Sequence, residues 1–431
     1  MTIARLIGWR RVLPVALVVI AAIGFLLAVF FPALKTMRHG FPTYYVSARL
    51  IWEGRWTPQV YDDAWFVAEV QALTPNGIGE IYAPNPPSAS LLMLPLAWLA
   101  ITPARQVWLW LNLGLLAVTL ALLAGHIPAD RVWARAGLVV VALVFAPLHE
   151  NFRLANVYGL LLFLFTVALW QLARPRTRAA SPALGLAGGL KLSGSPLWLV
   201  LALRGRWREL ALASVVALGI VGLSVGLTGW AGWQRFVGVV IEHAGEPGWA
   251  AGTAFQATPS FFQHMFRPDA TWNPAPLWVQ PAWVARACTL AVSAAALAGL
   301  LWRARRADLD VALAAAMTLG VVLLPFAEEY HYALLLLPLA VAWGQLARGA
   351  QPRPRGALTW LAVVVVLLAA PWPYKDPWLN SGWHALLAYP RLYGGWLLWG
   401  WLMACRVAVP ARQSQAAQPQ AAPHTSELAA P

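Results

Sequence analysis

Apolar residues run in long blocks along this chain, and polar residues collect in the gaps between them. The first block, 12–31, follows Arg5, Arg10 and Arg11. A helix that crosses a bilayer needs about 20 apolar residues, within a range of roughly 17–25. Further blocks fall at 107–124, 137–148, 157–172, 210–230, 283–302, 311–324, 332–346, 358–370 and 396–409. The pattern predicts an all-α polytopic membrane protein, a bundle of about ten spanning helices. The first block is too long for the apolar core of a signal peptide and lacks a small-x-small cleavage site.

Two apolar segments do not fit as simple spans. The stretch 88–100 is short and contains Pro95. The stretch 184–203 is long enough, but arginines flank both ends: Arg174, Arg176 and Arg178 before it, Arg204, Arg206 and Arg208 after it. Its centre reads Gly188-Gly189-Leu190-Lys191-Leu192-Ser193-Gly194-Ser195-Pro196. A helix broken there that enters and leaves on one side keeps both basic clusters on that side. The expected layout is one integral membrane domain over 1–409. It has a first outer loop at 32–105 carrying interfacial helices and a re-entrant segment at 181–204. A disordered tail follows at 410–431, rich in Ala, Gln and Pro. An even number of spans returns both termini to the cytoplasm.

Composition agrees: 60% of residues are hydrophobic and 11% charged, with a mean hydropathy of +0.61. Soluble domains carry about 25% charged residues, which excludes a water-soluble enzyme. The net charge of +14 would suggest nucleic acid in a soluble chain. On this topology the whole excess falls in the cytoplasmic loops and termini, while outer acids and bases balance. The charge is then an orientation signal, and no nucleic-acid partner is expected. Cys288 and Cys405 sit in apolar stretches with no disulfide or metal spacing.

Most acids fall on the outer side, so chemistry that needs a carboxylate belongs there. The first outer loop carries Tyr44, Tyr45 and Arg49, then Asp62 and Asp63, then Tyr82-Ala83-Pro84-Asn85. Such residues can pack sugar faces and bind hydroxyls; equally, an amphipathic helix in the headgroups would use Tyr and Trp as anchors. Lys191 is an ionisable group inside an apolar segment, which is expensive and points to function, with a lipid phosphate as its natural partner. A lysine snorkelling to an interface is the alternative. Glu328-Glu329-Tyr330-His331 places two acids beside a histidine, which suits a general base or a helix N-terminus. No Walker loop, zinc spacing or GxSxG occurs.

The stretches FPTYYVSARLIWEG, VYDDAWF, YAPNPPSASLLMLPLAWL, RLANVYGLLLFL, GGLKLSGSPLWLVLALRGRWREL and EEYHYALLLLPLA occur in that order. In these the chain resembles glycosyltransferase family 87, bacterial membrane enzymes of the GT-C fold related to polyprenol-phosphate-mannose-dependent mannosyltransferases. The resemblance implies transfer of a hexosyl unit, mannosyl among them, or a pentosyl unit from a polyprenyl-phosphate carrier. The acceptor would be a periplasmic or extracellular lipid or glycan, and the anomeric centre would invert. It implies a bacterial inner-membrane protein whose site faces the exterior, surrounded by membrane lipids. It calls for no cofactor, and the sequence offers no support for a divalent metal.

Carried onto this chain, Lys191 with Arg49 or Arg153 would hold the phosphate, with Tyr44, Tyr45, Asn85 and Asn156 lining the substrate. His331 matches a histidine that the family tends to carry. One position departs: the family usually has an acid just before the Phe-x-x-Tyr-Tyr segment, where this chain has Gly40. Either Asp62, Asp63 or Glu53 takes the base's role, Asp62 being favoured, or His331 with Glu328 does. The competing readings are a lipid or solute transporter or flippase, and a related protein that has lost catalysis.

Overall fold

Each predicted apolar block lies in a helix of the computed structural model, which describes residues 3–75, 77–172, 180–244, 248–349 and 356–405. Among these residues the only β-pairing is the isolated bridge Asp269–Asn273. The tail expected at 410–431 and the end of the last block lie outside them. Five helices are long and apolar enough to cross a membrane: Val12–Lys35, Ile101–Gly125, Trp207–Glu242, Ala282–Ala304 and Glu329–Arg348. A pair bent by 45°, Val132–Leu143 and Ala146–Arg153, is long and apolar enough only when its two helices are taken together, as a broken span or a re-entrant loop. Pro147 opens its second member, where a missing N–H costs nothing. Tyr158–Leu172, Leu309–Val322, Ala357–Ala369 and Pro390–Ala404 are shorter. Of the blocks read as about ten spans, five helices, or six with the bent pair, are thus long and apolar enough to cross among the described residues.

Large apolar side chains point outward from these helices. Ile20, Leu218, Leu290 and Leu358 are each about two-thirds exposed or more. A surface of this kind faces lipid, since a soluble protein does not expose contiguous apolar area on this scale. The chain is a multi-pass membrane protein. Between helices, small residues permit close approach. A Cβ at Gly185 would come within 2.5 Å of the Ala213 carbonyl, and one at Gly189 within 2.8 Å of Ile220.

Over 181–204 the chain forms a helical hairpin. Ala180–Lys191 and Ser195–Leu203 are separated by a turn in which Leu192 (φ 50°) and Gly194 (φ 90°) are left-handed. The first leg packs on Trp207–Ala244 and Tyr158–Leu172 and the second on Leu309–Val322, and the Trp198 ring reaches back to Gly188, where a Cβ would meet it at 2.8 Å. After the second leg, Arg206 donates to the Leu172 carbonyl at 3.2 Å, at the end of the helix before the hairpin. Both feet therefore stand at one end of the bundle, and Lys191 rides near the apex. The stretch 88–100 is two short 3₁₀ turns, Pro87–Leu92 and Leu94–Leu96, punctuated by proline.

The two ends differ in chemistry. The hairpin's feet share theirs with arginines held by carbonyls and acids: Arg135 on Ile127, Arg204 on Ala307, Arg348 on His126 and Asp310. The other end gathers the first loop and the segments near residues 150–157, 250–280, 323–331 and 370–391. Backbone bonds tie them, including Phe41 to Leu154, Gln256 to Ala327 and Gly382 to Ala275.

Candidate active site

The first loop is organised around the helix Phe41–Trp52, almost wholly buried. Ser47 bonds Ser90 at 2.5 Å, Tyr82 donates to the Pro86 carbonyl, and Trp56 donates to Ser47 at 2.9 Å. This network clamps the segment 80–90 against the helix and fixes two side chains, Glu80 and Asn85. Tyr61 donates to the Asn85 carbonyl at 2.8 Å, and Asn85 donates to Tyr82 at 2.7 Å. The Asn85 side-chain oxygen then accepts from the Lys191 ammonium at 2.5 Å, joining first loop to hairpin across 106 residues.

Lys191 also lies over two aromatic faces, 5.1 Å from the Tyr44 ring and 5.8 Å from that of Tyr158. Cation–π contact favours a charged ammonium where solvent is scarce. Tyr158 packs 4.4 Å from the His331 ring, and Tyr330 stacks on His331 at 4.5 Å. Lys191 and His331 are within electrostatic reach of each other. The Glu328 N–H donates to His331 Nδ1 at 3.1 Å, which leaves Nε2 as the protonated nitrogen of the neutral ring. Tyr330 donates to the Glu328 carboxylate at 3.0 Å.

Glu80 completes the group. Its two oxygens accept from the Gly40 N–H at 2.7 and 2.8 Å, at the N-terminus of Phe41–Trp52. Burial pushes its carboxyl up to about 7; hydrogen bonds from Gly40 and Thr43 oppose that, and the nearby Glu328 charge adds to it. Glu328 is also raised, first by burial, against the Tyr330 bond and the Lys375 and His39 charges. Tyr44 feels both acids, and burial raises its hydroxyl far above the ordinary range. Glu80, Lys191 and Glu328 all keep partial solvent access.

Of the residues singled out in the sequence, Lys191, Asn85, Tyr44, His331 and Glu328 come together. Asn156 borders them: Tyr44 donates to its oxygen at 3.5 Å, and it caps Val157 at 2.7 Å. The others lie elsewhere. Asp62 is exposed and caps the helix Asp63–Leu73, accepting from the Trp65 N–H at 2.9 Å. Arg49 pairs with Glu53 at 2.5 Å and donates to the Ala97 carbonyl. Tyr45 donates to the Leu99 carbonyl at 2.6 Å, and exposed Arg153 lies 3.8 Å from Glu150.

Sequence reasoning did not single out Glu80 or Arg391. Arg391 is fully buried, 2.5 Å from Glu329, and donates to the Leu367 and Leu368 carbonyls. Tyr374 also donates to Glu329, at 2.9 Å. The adjacent acids thus part company, Glu329 into an ion pair with Arg391 and Glu328 towards Tyr330 and Tyr44. Among the described residues, no three His, Cys, Asp or Glu side chains are grouped to hold a metal.

Comparison with curated proteins and with solved structures returned no match. The profile of glycosyltransferase family 87 matches residues 83–326, from just before Asn85, through Lys191, to just short of Glu328. That is more than half of the 431 residues, and the helical membrane architecture agrees with it; the chain belongs to glycosyltransferase family 87.

Proposed function

We propose that this glycosyltransferase takes its sugar from a polyprenyl-phosphate carrier and passes it, with inversion, to a hydroxyl of a lipid or glycan acceptor. The observation that carries the reading is Lys191. Its ammonium is held at the apex of a helical hairpin, with one side-chain hydrogen bond and two aromatic faces around it. An ammonium has three donors, so a phosphate oxygen can be bound without breaking the Asn85 contact. In transfer, the acceptor oxygen attacks the anomeric carbon while the bond to the carrier phosphate breaks. Lys191 stabilises the charge that gathers on the departing phosphate, where low surrounding polarity strengthens the effect. His331, with Nδ1 occupied by the Glu328 N–H, presents Nε2–H as a further donor.

The arginine-rich end supports a bacterial inner-membrane orientation with that end and both termini in the cytoplasm, and the Lys191 end facing outward. A hexosyl donor is the reading taken from the family resemblance, and no step here requires a metal or cofactor. Membership of a transferase family, with a half-buried cation held by Asn85 and two tyrosine rings, favours an enzyme over a transporter or flippase and over a relative without catalysis. Purified protein in lipid, offered a panel of labelled polyprenyl-phosphate sugars, is expected to turn over one of them. Inertness towards all, together with unimpaired function of Lys191→Ala in cells, would sink the reading.

A further inference from the structure

The acids at this end of the molecule sort by what holds them. Glu53, Glu69, Glu150, Glu242 and Glu329 each meet an arginine within 4.0 Å. Asp62 and Asp269 cap backbone N–H groups. Glu80 accepts from a backbone N–H and Glu328 from a tyrosine hydroxyl, and what sets these two apart is that they lie close enough for their charges to repel. Of the pair, Glu328 has the Tyr330 hydroxyl and the Lys375 and His39 charges to keep it ionised. Glu80 has the Gly40 N–H, the Thr43 hydrogen bonds and a like charge.

Gly40 explains how Glu80 reaches this place. Its φ of +98° and a Cβ position only 2.9 Å from the Leu154 carbonyl leave no room for a side chain. An acid at position 40 cannot be built on this backbone. The bare glycine N–H instead receives a carboxylate from 40 residues along the chain. The helix N-terminus behind it favours the anion, and burial opposes it. A group balanced in this way can both take and release a proton near neutral pH.

From this arrangement, and resting on the transferase reading above, we propose that Glu80 is the general base of this enzyme. The Glu80 carboxylate takes the proton of the acceptor hydroxyl. The electron pair left on that oxygen forms the bond to the anomeric carbon. The bond from that carbon to the carrier phosphate breaks, its electron pair leaving with the phosphate beside Lys191. The proton on Glu80 passes to water before the next turnover. Glu328 is a positioning residue, whose negative charge sets the proton affinity of Glu80. The groups facing Glu80 are Glu328 and Tyr44, and those facing Glu328 are Tyr330, Lys375, Glu150 and His39.

The test uses full-length protein in lipid with a polyprenyl-phosphate sugar that the wild type turns over. Glu80→Gln is expected to lower kcat by about 10²–10⁴-fold, the range for a general base, with the donor KM little changed. In the wild type, kcat/KM falls on the acid side of an inflection near 7, where burial places the Glu80 carboxyl. In Glu328→Gln that inflection moves to lower pH, because a like charge has gone. A purely structural helix cap would not move it. Near-wild-type turnover in Glu80→Gln, or an unmoved inflection in Glu328→Gln, overturns the assignment. So does loss of turnover in Asp62→Asn with Glu80→Gln still active. A wild type inert with every donor overturns the transferase reading and the assignment with it. If Glu80→Gln does not fold, the inflection in Glu328→Gln decides.

Discussion

Two ionic sites lie side by side on the segment 328–331 and are built on opposite principles. At one, Glu329 meets buried Arg391, whose Nη1 takes two backbone carbonyls while its Nε is left without a partner, and Tyr374 supplies a further bond to Glu329. Opposite charges meet there, which is what offsets the desolvation of a buried pair. At the other, Glu80 and Glu328 lie close enough for their charges to repel, and both act on Tyr44, whose ring carries the Lys191 ammonium. One site fastens the segment 323–331 to the last helix. The other leaves like charges close together without an arginine between them. Adjacency in sequence told nothing of this division; the partners did.

The comparison can be broken at either site. Arg391→Met leaves Glu329 buried without its partner and is expected to cost about 3–5 kcal/mol, read as thermal unfolding in detergent. Adding Glu329→Gln should restore part of that loss. If Arg391→Met unfolds like the wild type, the closed site is not structural. Lys191→Ala is expected to lower turnover by about 10²–10³-fold, as for loss of one donor to developing charge, with unfolding little changed. A marked loss of stability there would make Lys191 a structural residue as well.

Gly40→Ala forces a side chain into a left-handed residue against the Leu154 carbonyl. Strain of this kind costs about 1–3 kcal/mol, and Gly40→Asp should fare no better, so it should not restore an acid at that position. A Gly40→Asp protein with full stability and activity would refute the steric argument.

The pH dependence of stability offers a subtler check. Folded Glu80 titrates near 7, above its ordinary value of 4.5, so the native state holds an extra proton between the two. Its contribution is present at low pH and lost as pH rises through about 7. Glu80→Gln stays neutral throughout, so it should gain on the wild type above neutrality, with the gap closing towards about pH 5. A constant gap would mean that the Glu80 carboxyl is not raised. The smallest effect is expected at the cap: Asp62→Ala should cost about 1 kcal/mol of stability.

Much of the fold was legible because a membrane reduces the problem to where apolar runs begin and end. The break at Gly188 to Pro196 could be read from glycines, a lysine and a proline interrupting one such run. The site was legible where motif and geometry coincide, as at Asn85, Lys191 and His331. Asp62 drew attention by sitting in an acidic motif, yet Asp followed at three residues by the helix's first free N–H is a cap signature. Glu80 lies among glycines and isoleucines in a segment with no helical period. Only the hydrogen bond from Gly40 shows its place, and pairing across 40 residues leaves no local pattern. The one available hint was Gly40 itself, an acid's usual position left empty with a nearby acid preceding the Tyr82 motif. Arg391 was hidden for the same reason, since its partner is 62 residues away.

If the Lys191 end of the bundle transfers sugar from a phosphate-linked lipid, the Lys191 charge should govern the rate. The most direct measurement compares wild type and Lys191→Met, a substitution that keeps the packing and removes the charge, in the same lipid with a labelled polyprenyl-phosphate sugar. The account predicts steady transfer by the wild type and about 10²–10³-fold less by a variant that unfolds at the same temperature. Equal transfer by both proteins would contradict it.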